Sequence, residues 1–263
     1  MTGPAPHGVP RFSGKHTVAS LTDPAEHAAH IRRRHPDADL THTAGAVLVF
    51  QSSLARETVR RDGVWPLGPW VAADLHRTTD GAVICSGFGR GAPAAALIVE
   101  QLIALGARAI ITIGTAATLT DTLAAGDLVV CREALRGEGL SHHYLRPGRY
   151  IAPDSALTQT LTRHLTLLGE KPHTGRAWTT DALYRETEAE VYQYVSEGVL
   201  TADMEAAGVL AVAAYRGIPA AAAFTVADSL ARRTMRTDSP RTGTGLRVLY
   251  EAATRTLAER PSA

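Results

Sequence analysis

The sequence predicts a single α/β domain in which a largely parallel or mixed sheet carries helices on both faces. Three observations predict it. From residue 44 onward, short apolar runs alternate with runs of helical period. The chain has 263 residues, 45% of them apolar, enough for one substantial core without a second domain. No internal repeat or low-complexity linker divides it, so the expected boundaries are an N-terminal arm over 1–43 and the domain over 44–263.

The arm is rich in Pro, His and charge, with one short helix expected around Pro24–Arg34. AGAVLVF (44–50) reads as the first strand, followed by a polar QSS turn and a helix, SLARETVRRDG, that stops at Gly63. GAVICSG (81–87) reads as the second strand and closes in a glycine-rich turn, GFGRGAP (87–93). In the helix that follows, PAAALIVEQLIALG, the spacing puts Ala94, Leu97, Ile98, Leu102 and Leu105 on one face, with Gly106 as a stop. ARAIITIG (107–114) and GDLVVCREAL (126–135) read as the third and fourth strands. Toward the C-terminus, DMEAAGVLAVAAYRG sets Met204 and Glu205 at the start of an apolar helix. The Ala-rich run after it ends at an isolated acid, Asp228.

Bulk properties narrow the partners. Basic residues number 27 against 26 acidic, a formal charge of +1, which points away from nucleic acid and from membrane surfaces. No apolar stretch is long and clean enough to span a bilayer, and the N-terminus lacks the apolar centre of a signal peptide. Cys85 and Cys131 lie in apolar strand-like runs and are expected as buried thiols, in a cytoplasmic protein.

Ligands of open α/β sheets collect at the carboxyl ends of strands. That rule would bring Glu205 and Asp228 to one pocket, where one carboxylate can grip a sugar and the other can handle a proton. Glu205 also has a plainer use, favourable placement at a helix N-terminus, and Asp203 beside it suits the capping position. The GFGRGAP turn joins strand to helix, where exposed N–H groups favour an anion, although a tight turn needing positive φ explains its glycines equally well. IGTAAT (113–118) reads as a second small-residue turn after a strand and offers Thr115 as a hydroxyl. AWTTDALYRET (177–187) mixes hydrogen-bonding and aromatic groups suited to an aromatic base, as a surface loop would. In RGEGLSHHYL (136–145), His142 and His143 are adjacent and lack the i, i+4 spacing of helical metal ligands. A substrate-lining loop or a subunit contact suits them better, and no metal is expected.

The series GFGRGAPAAALIVEQLIALGARAIITIGTAATL, GDLVV, ALRGEGLSHHYL, WTTDALYRET, DMEAAGVLAVAAYRG and VADSL resembles the nucleoside phosphorylase and nucleosidase superfamily. It is most similar to the uridine and bacterial purine nucleoside phosphorylase branch, over roughly 44–230. The resemblance implies a partly closed mixed sheet, assembly as a homodimer or trimer of dimers, and a site completed by a neighbour. It implies a small-molecule nucleoside as substrate, inorganic phosphate as co-substrate, and no organic cofactor.

Carried over by position, Met204 and Glu205 match the pair that packs on the ribose and binds its hydroxyls. Asp228 matches the acid that protonates the base in purine-specific members, with Arg241 as the assisting arginine. Thr115 matches the hydroxyl that holds phosphate, and Gly87 and Gly89 match the glycine turn beside the ribose. Thr180, Tyr184, Arg185 and Asp203 are the candidate base contacts. The departures fall at the phosphate end. Gln51 stands where a glycine is expected, the first arginine position falls on Ala55 or Arg56, and Thr112 replaces the second arginine. Arg90 could supply the missing charge. Ala227 replaces the serine before the catalytic acid.

The implied chemistry is cleavage of an N-glycosidic bond through a ribooxocarbenium-like transition state, by phosphorolysis of a purine-type nucleoside in preference to uridine. Two alternatives stand beside it: a nucleosidase using water, and a silent nucleoside-binding paralogue.

Overall fold

Five strands close into a ring and four more extend from it as an open wing in the computed structural model, which describes residues 10, 12, 14–233 and 239–260. The elements in chain order are a 3-10 turn (Lys15–Thr17), α1 (Pro24–Arg34), β1 (Gly45–Val49), α2 (Ser52–Thr58), β2 (Val64–Pro66), β3 (Asp74–Thr78), β4 (Ala82–Ser86) and α3 (Ala92–Ala104). They continue with β5 (Ile110–Thr118), β6 (Leu128–Gly137), α4 (Ser141–Tyr144), β7 (Tyr150–Ile151), α5 (Ser155–Leu167), β8 (His173–Thr180) and a second 3-10 turn (Leu183–Arg185). The last are α6 (Glu188–Ser196), β9 (Val199–Asp203), α7 (Ala206–Arg216), β10 (Ala220–Ser229) and α8 (Pro240–Ala258).

The sheet runs β10-β6-β8-β9-β5-β1-β4-β3-β2, and β10 also pairs with β5. That extra pairing closes β5, β10, β6, β8 and β9 into a ring. β5 lies parallel to β1 and β10, and β1 lies parallel to β4, so the carboxyl ends of these four strands emerge on one side. The ring accounts for the mixed character, because β6 runs antiparallel to β10, and β9 antiparallel to β5.

Side-chain alternation assigns each strand residue to one of two cores. Ala46 and Leu48 face the layer formed with α1, α3 and α7, whereas Val47 and Val49 face the layer formed with α5 and α8. Helices cover both faces, so all five residues of β1 are buried and the strand reads as a continuous apolar run. Ala28, Ala38 and Leu40 are fully buried in the first layer, so the stretch from Pro24 to Leu40 packs on the domain and does not hang from it as an arm. Both cysteines are buried thiols.

Two local expectations are corrected. On α3 the buried residues are Ala92, Ala95, Ala96, Ile98, Val99, Glu100 and Leu102, and Leu97 points outward at 55% exposure. Ile98, Leu102 and Leu105 of the expected stripe are buried, and Glu100, also buried, pairs with Arg216 of α7 at 2.6 Å. Residues 113–118 form no turn: β5 continues to Thr118, held by β10 along its whole length and by β9 at its end. Among the described residues, no helix is long and apolar enough to cross a membrane.

Candidate active site

A cavity of about 910 Å³ opens at the carboxyl ends of the strands. This is the size of a small-molecule site. Its wall takes Phe50 and Gln51 from the end of β1, Arg90 from the glycine turn, Thr115–Ala117 from β5, Ala202–Glu205 from the end of β9, and Asp228 from β10.

The floor beside α7 is the most tightly tied part. Asp203, buried at the end of β9, accepts N–H bonds from Glu205 (2.8 Å) and Ala206 (2.7 Å), and a hydroxyl from Thr179 on the neighbouring strand. It therefore caps α7, the plainer of its two expected roles, and Thr179 in turn accepts from the Ala207 N–H. Burial pushes the Asp203 carboxyl up to about 7, against the lowering effect of those donors.

Freed from capping, Glu205 reaches across the floor. Its Oε1 accepts the backbone N–H of Gly91 at 2.6 Å, at the start of α3. Gly91 adopts φ +89, a backbone conformation that presents this N–H and that side chains with a Cβ rarely adopt. Burial raises the Glu205 carboxyl, while the N–H groups of Gly91 and Met204 and the charge of Arg90 lower it. With one carboxylate oxygen anchored at Gly91, Glu205 lines the cavity with Met204 beside it.

A β-bulge aims the second carboxylate. β10 pairs Val226 with Ala116 but Asp228 with Ala117, so Ala227 is the extra residue and the register shifts there. Bulges of this kind re-aim side chains at active sites. The expected serine is absent, and the bulge residue is a buried Ala.

The far end, beneath Gln51 and Thr115, is nearly neutral. Gln51 Nε2 donates to Thr115 Oγ1 at 3.1 Å, and Gln51 Oε1 is buried without a hydrogen-bond partner among the described residues. Thr112 is buried in β5. Arg90 lies on the wall but is largely exposed.

The structure thus gathers Asp228, Met204, Glu205, Asp203, Thr115, Arg90 and Tyr184 on one wall. It leaves five expected residues off that wall. Arg241 lies exposed in the first turn of α8, its backbone beside Gly126, and does not line the cavity. Arg56 projects to solvent from α2. Gly89 serves the turn before Arg90 and Gly91 and does not line the cavity. Thr180 is buried, accepting the Ala182 N–H, and Arg185 is exposed on the 3-10 turn.

Further residues, none of them named individually from the sequence, line the same cavity as Asp228. Glu186 and Thr187 line the cavity from the link between the second 3-10 turn and α6, and Val191, Tyr192 and Val195 line it from α6. The Glu186 carboxyl is pushed up to about 7, chiefly by burial and then by the charges of Asp228 and Glu190. Its signal in the sequence was one acid at the end of a polar segment, indistinguishable from a solvated charge. His142 and His143 belong to α4, away from this wall, where His142 meets the carbonyl of Arg136.

Comparison with known proteins agrees with this geometry. A guanosine phosphorylase of Halorubrum lacusprofundi is 33% identical over 147 residues, covering 56% of this chain and 61% of that protein. The chain spans about six-tenths of the length of the curated relatives it matches. Among solved structures, a purine nucleoside phosphorylase of Toxoplasma gondii in complex with immucillin-H superposes with a TM-score of 0.75 at 23% identity, over 83% of this chain and 91% of that one. A uridine phosphorylase of Vibrio fischeri gives 0.74 at 25% identity, over 84% and 95%. Residues 74–258 match the family model of the phosphorylase superfamily, and the chain belongs to that family.

Proposed function

We propose that this protein cleaves the N-glycosidic bond of a purine-type nucleoside by phosphorolysis, releasing free base and ribose or deoxyribose 1-phosphate. The observation that carries the reading is the placement of Glu205 and Asp228, from different strand ends, on one cavity wall. Glu205, anchored through Gly91, accepts the sugar hydroxyls and holds the ring in a reactive pose. As the bond breaks, positive charge grows on the ribose and negative charge on the departing base. Asp228 donates a proton to that base as general acid. Phosphate attacks from the Gln51–Thr115 end, with Thr115 and the Gln51 amide as neutral donors and Arg90 as the charge. The guanosine and purine nucleoside phosphorylases among similar proteins support a purine-type base.

Three observations favour a second reading, hydrolysis. Arg56 is off the wall, Thr112 replaces a cation, and the unpartnered Gln51 Oε1 is an acceptor, suited to a water proton and unsuited to a phosphate oxygen. The deciding experiment is base release from a panel of purine and pyrimidine nucleosides with and without inorganic phosphate. Phosphate-dependent release with ribose 1-phosphate as product establishes phosphorolysis, and equal release without phosphate establishes hydrolysis. Silence in both conditions removes the catalytic reading and leaves a nucleoside-binding protein.

A further inference from the structure

The two helices that begin at the floor of the cavity meet along a ladder of contacts. α3 and α7 run side by side in the same direction, each following a strand whose carboxyl end faces the cavity side. At the cavity, the Gly91 N–H before α3 donates to the Glu205 carboxylate before α7, at 2.6 Å. Within the first turn the backbones close in: a Cβ added to Gly208 would lie 2.7 Å from the Ala92 Cβ, so glycine permits the approach. Toward the far end, buried Glu100 of α3 accepts Arg216 Nε at 2.6 Å and Arg216 Nη2 at 3.1 Å, a two-pronged ion pair. Ala92 and Glu100 are eight residues apart on α3, and Gly208 and Arg216 are eight apart on α7. The two contacts therefore sit at matching heights, separated by about 12 Å along the helices.

The pair is held in one orientation. The Arg216 guanidinium lies 5.1 Å from the centroid of the Tyr215 ring, and Tyr215 packs edge to face on Tyr144 of α4 at 5.4 Å. Burial, then the charge of Glu100, pushes the Tyr144 hydroxyl up, and Asp23 at the start of α1 adds a second negative charge toward Arg216. Elsewhere the buried surface of the two helices is apolar, with Ala95, Ala96, Val99, Val209 and Val212 in one core cluster. Apolar burial is non-directional, so it holds helices together without fixing how far one slides along the other. A two-pronged ion pair has a single geometry. Buried pairs add little net stability, and setting register is their best-attested use. A slide of about 1 Å at Arg216, carried down the helix to Glu205, is enough to take the contact with Gly91 out of hydrogen-bonding range.

We propose that the Glu100–Arg216 pair is a positioning device for the sugar site, setting the register of α3 on α7 so that Gly91 holds Glu205 where the sugar hydroxyls arrive. This rests on the nucleoside-cleaving reading above. Neither residue lines the cavity, so both act through Glu205. The mark of that action is selectivity for a hydroxylated sugar, since only the hydroxyls report where Glu205 stands.

The test compares kcat/KM for guanosine and 2′-deoxyguanosine, with and without inorganic phosphate, in the wild type, Arg216→Met and the double variant Glu100→Leu with Arg216→Met. The double variant replaces the pair by apolar groups, a change that leaves stability near the wild type or above it, and so separates register from folding. The wild type should favour guanosine by roughly 10- to 100-fold, the weight of one hydrogen bond to a charged group. Both variants should cut that preference by about 10-fold, through guanosine and with 2′-deoxyguanosine little changed, because a small misplacement caused far from the chemistry is felt at the reacting sugar. Arg216→Lys, which keeps the charge without the fork, should fall between. Equal losses on the two nucleosides, or an unchanged preference in the double variant, overturns the proposal. Should the wild type cleave neither nucleoside, or both alike, the reading of Glu205 as the sugar's grip fails by itself. Hydrogen exchange then decides the register role alone: the Gly91 amide should exchange about 10-fold faster in the double variant, while the amides of Val99 and Leu102 keep their protection. Unchanged exchange at Gly91 overturns the proposal.

Discussion

The floor of the cavity and its rim are built on opposite plans. On the floor, Asp203, Glu205, Thr179 and Gly91 are joined by short hydrogen bonds that link two strands to the starts of two helices. On the rim, Tyr184 is 94% exposed and Tyr192 79% exposed, and the line of contact runs through a 3-10 turn and one helix face. On the proposed reading the floor grips the sugar and the rim meets the base, so the hydrogen-bonded groups stand where the chemistry is common to every substrate and the exposed ones where substrates differ.

The sharpest way to break that contrast is to remove the acid between the two regions. Asp228→Asn preserves shape and cannot give up a proton, so kcat should fall by about 10²- to 10⁴-fold with the melting curve little changed. A mutant with near-normal turnover of a purine nucleoside would take Asp228 out of its role and leave the floor without a partner.

Stability should separate the regions next. Asp203→Ala strands a buried hydroxyl and two helix N–H groups, and urea unfolding should report a loss of about 2–4 kcal/mol. Tyr184→Ala, on the exposed rim, should stay within about 0.5 kcal/mol of the wild type. Equal losses would mean that the rim is as integral to the fold as the floor.

The smallest effect concerns pH. The Glu186 carboxyl is raised from its ordinary 4.5 to about 7 by burial, then by Asp228 and Glu190. A raised folded-state value means that the folded protein holds this proton more tightly than the unfolded chain. The stabilisation is complete below about pH 4.5 and is lost as pH climbs through 7. Other groups titrate in the same window, Asp203 among them, so the informative quantity is a difference. Between pH 5 and 7.5 the urea midpoint of Glu186→Gln should fall less steeply than that of the wild type. Identical slopes would place Glu186 in solvent.

What the sequence disclosed follows the same division. Met204, Glu205 and Asp228 were legible because a helix start and a strand end constrain where a side chain can go, and both are marked by abrupt changes from apolar to acidic residues. The core strands β1, β4 and β5 were legible because both faces are covered and their residues are buried almost throughout, and β6 was legible through its apolar first half, Leu128–Cys131. The rest lacked such marks. β3 (Asp74–Thr78) mixes exposed and buried residues in five positions, and β8 begins with exposed His173 and Thr174 before its buried half. Their partners, not their own composition, make them strands. Thr180 and Arg185 were placed at the base for their chemistry, yet neither the strand end nor the 3-10 turn sets its side chain on the wall. Glu186, one residue further, lines it. Arg56 and Arg241 had the right charge at a plausible spacing. Each instead projects outward from a helix whose opposite face is in the core, buried through Leu54 on α2 and through Leu246 and Leu249 on α8.

The closing of the ring by β10 has a consequence for how the molecule comes into being. A nascent chain that ends before residue 220 holds β5 and β6 without the strand that joins them, two unpaired edges in a protein otherwise ready to pack. Unpaired edges invite neighbouring chains. The last strand to be synthesised both removes that hazard and delivers Asp228, so the protein is sealed and armed in one step.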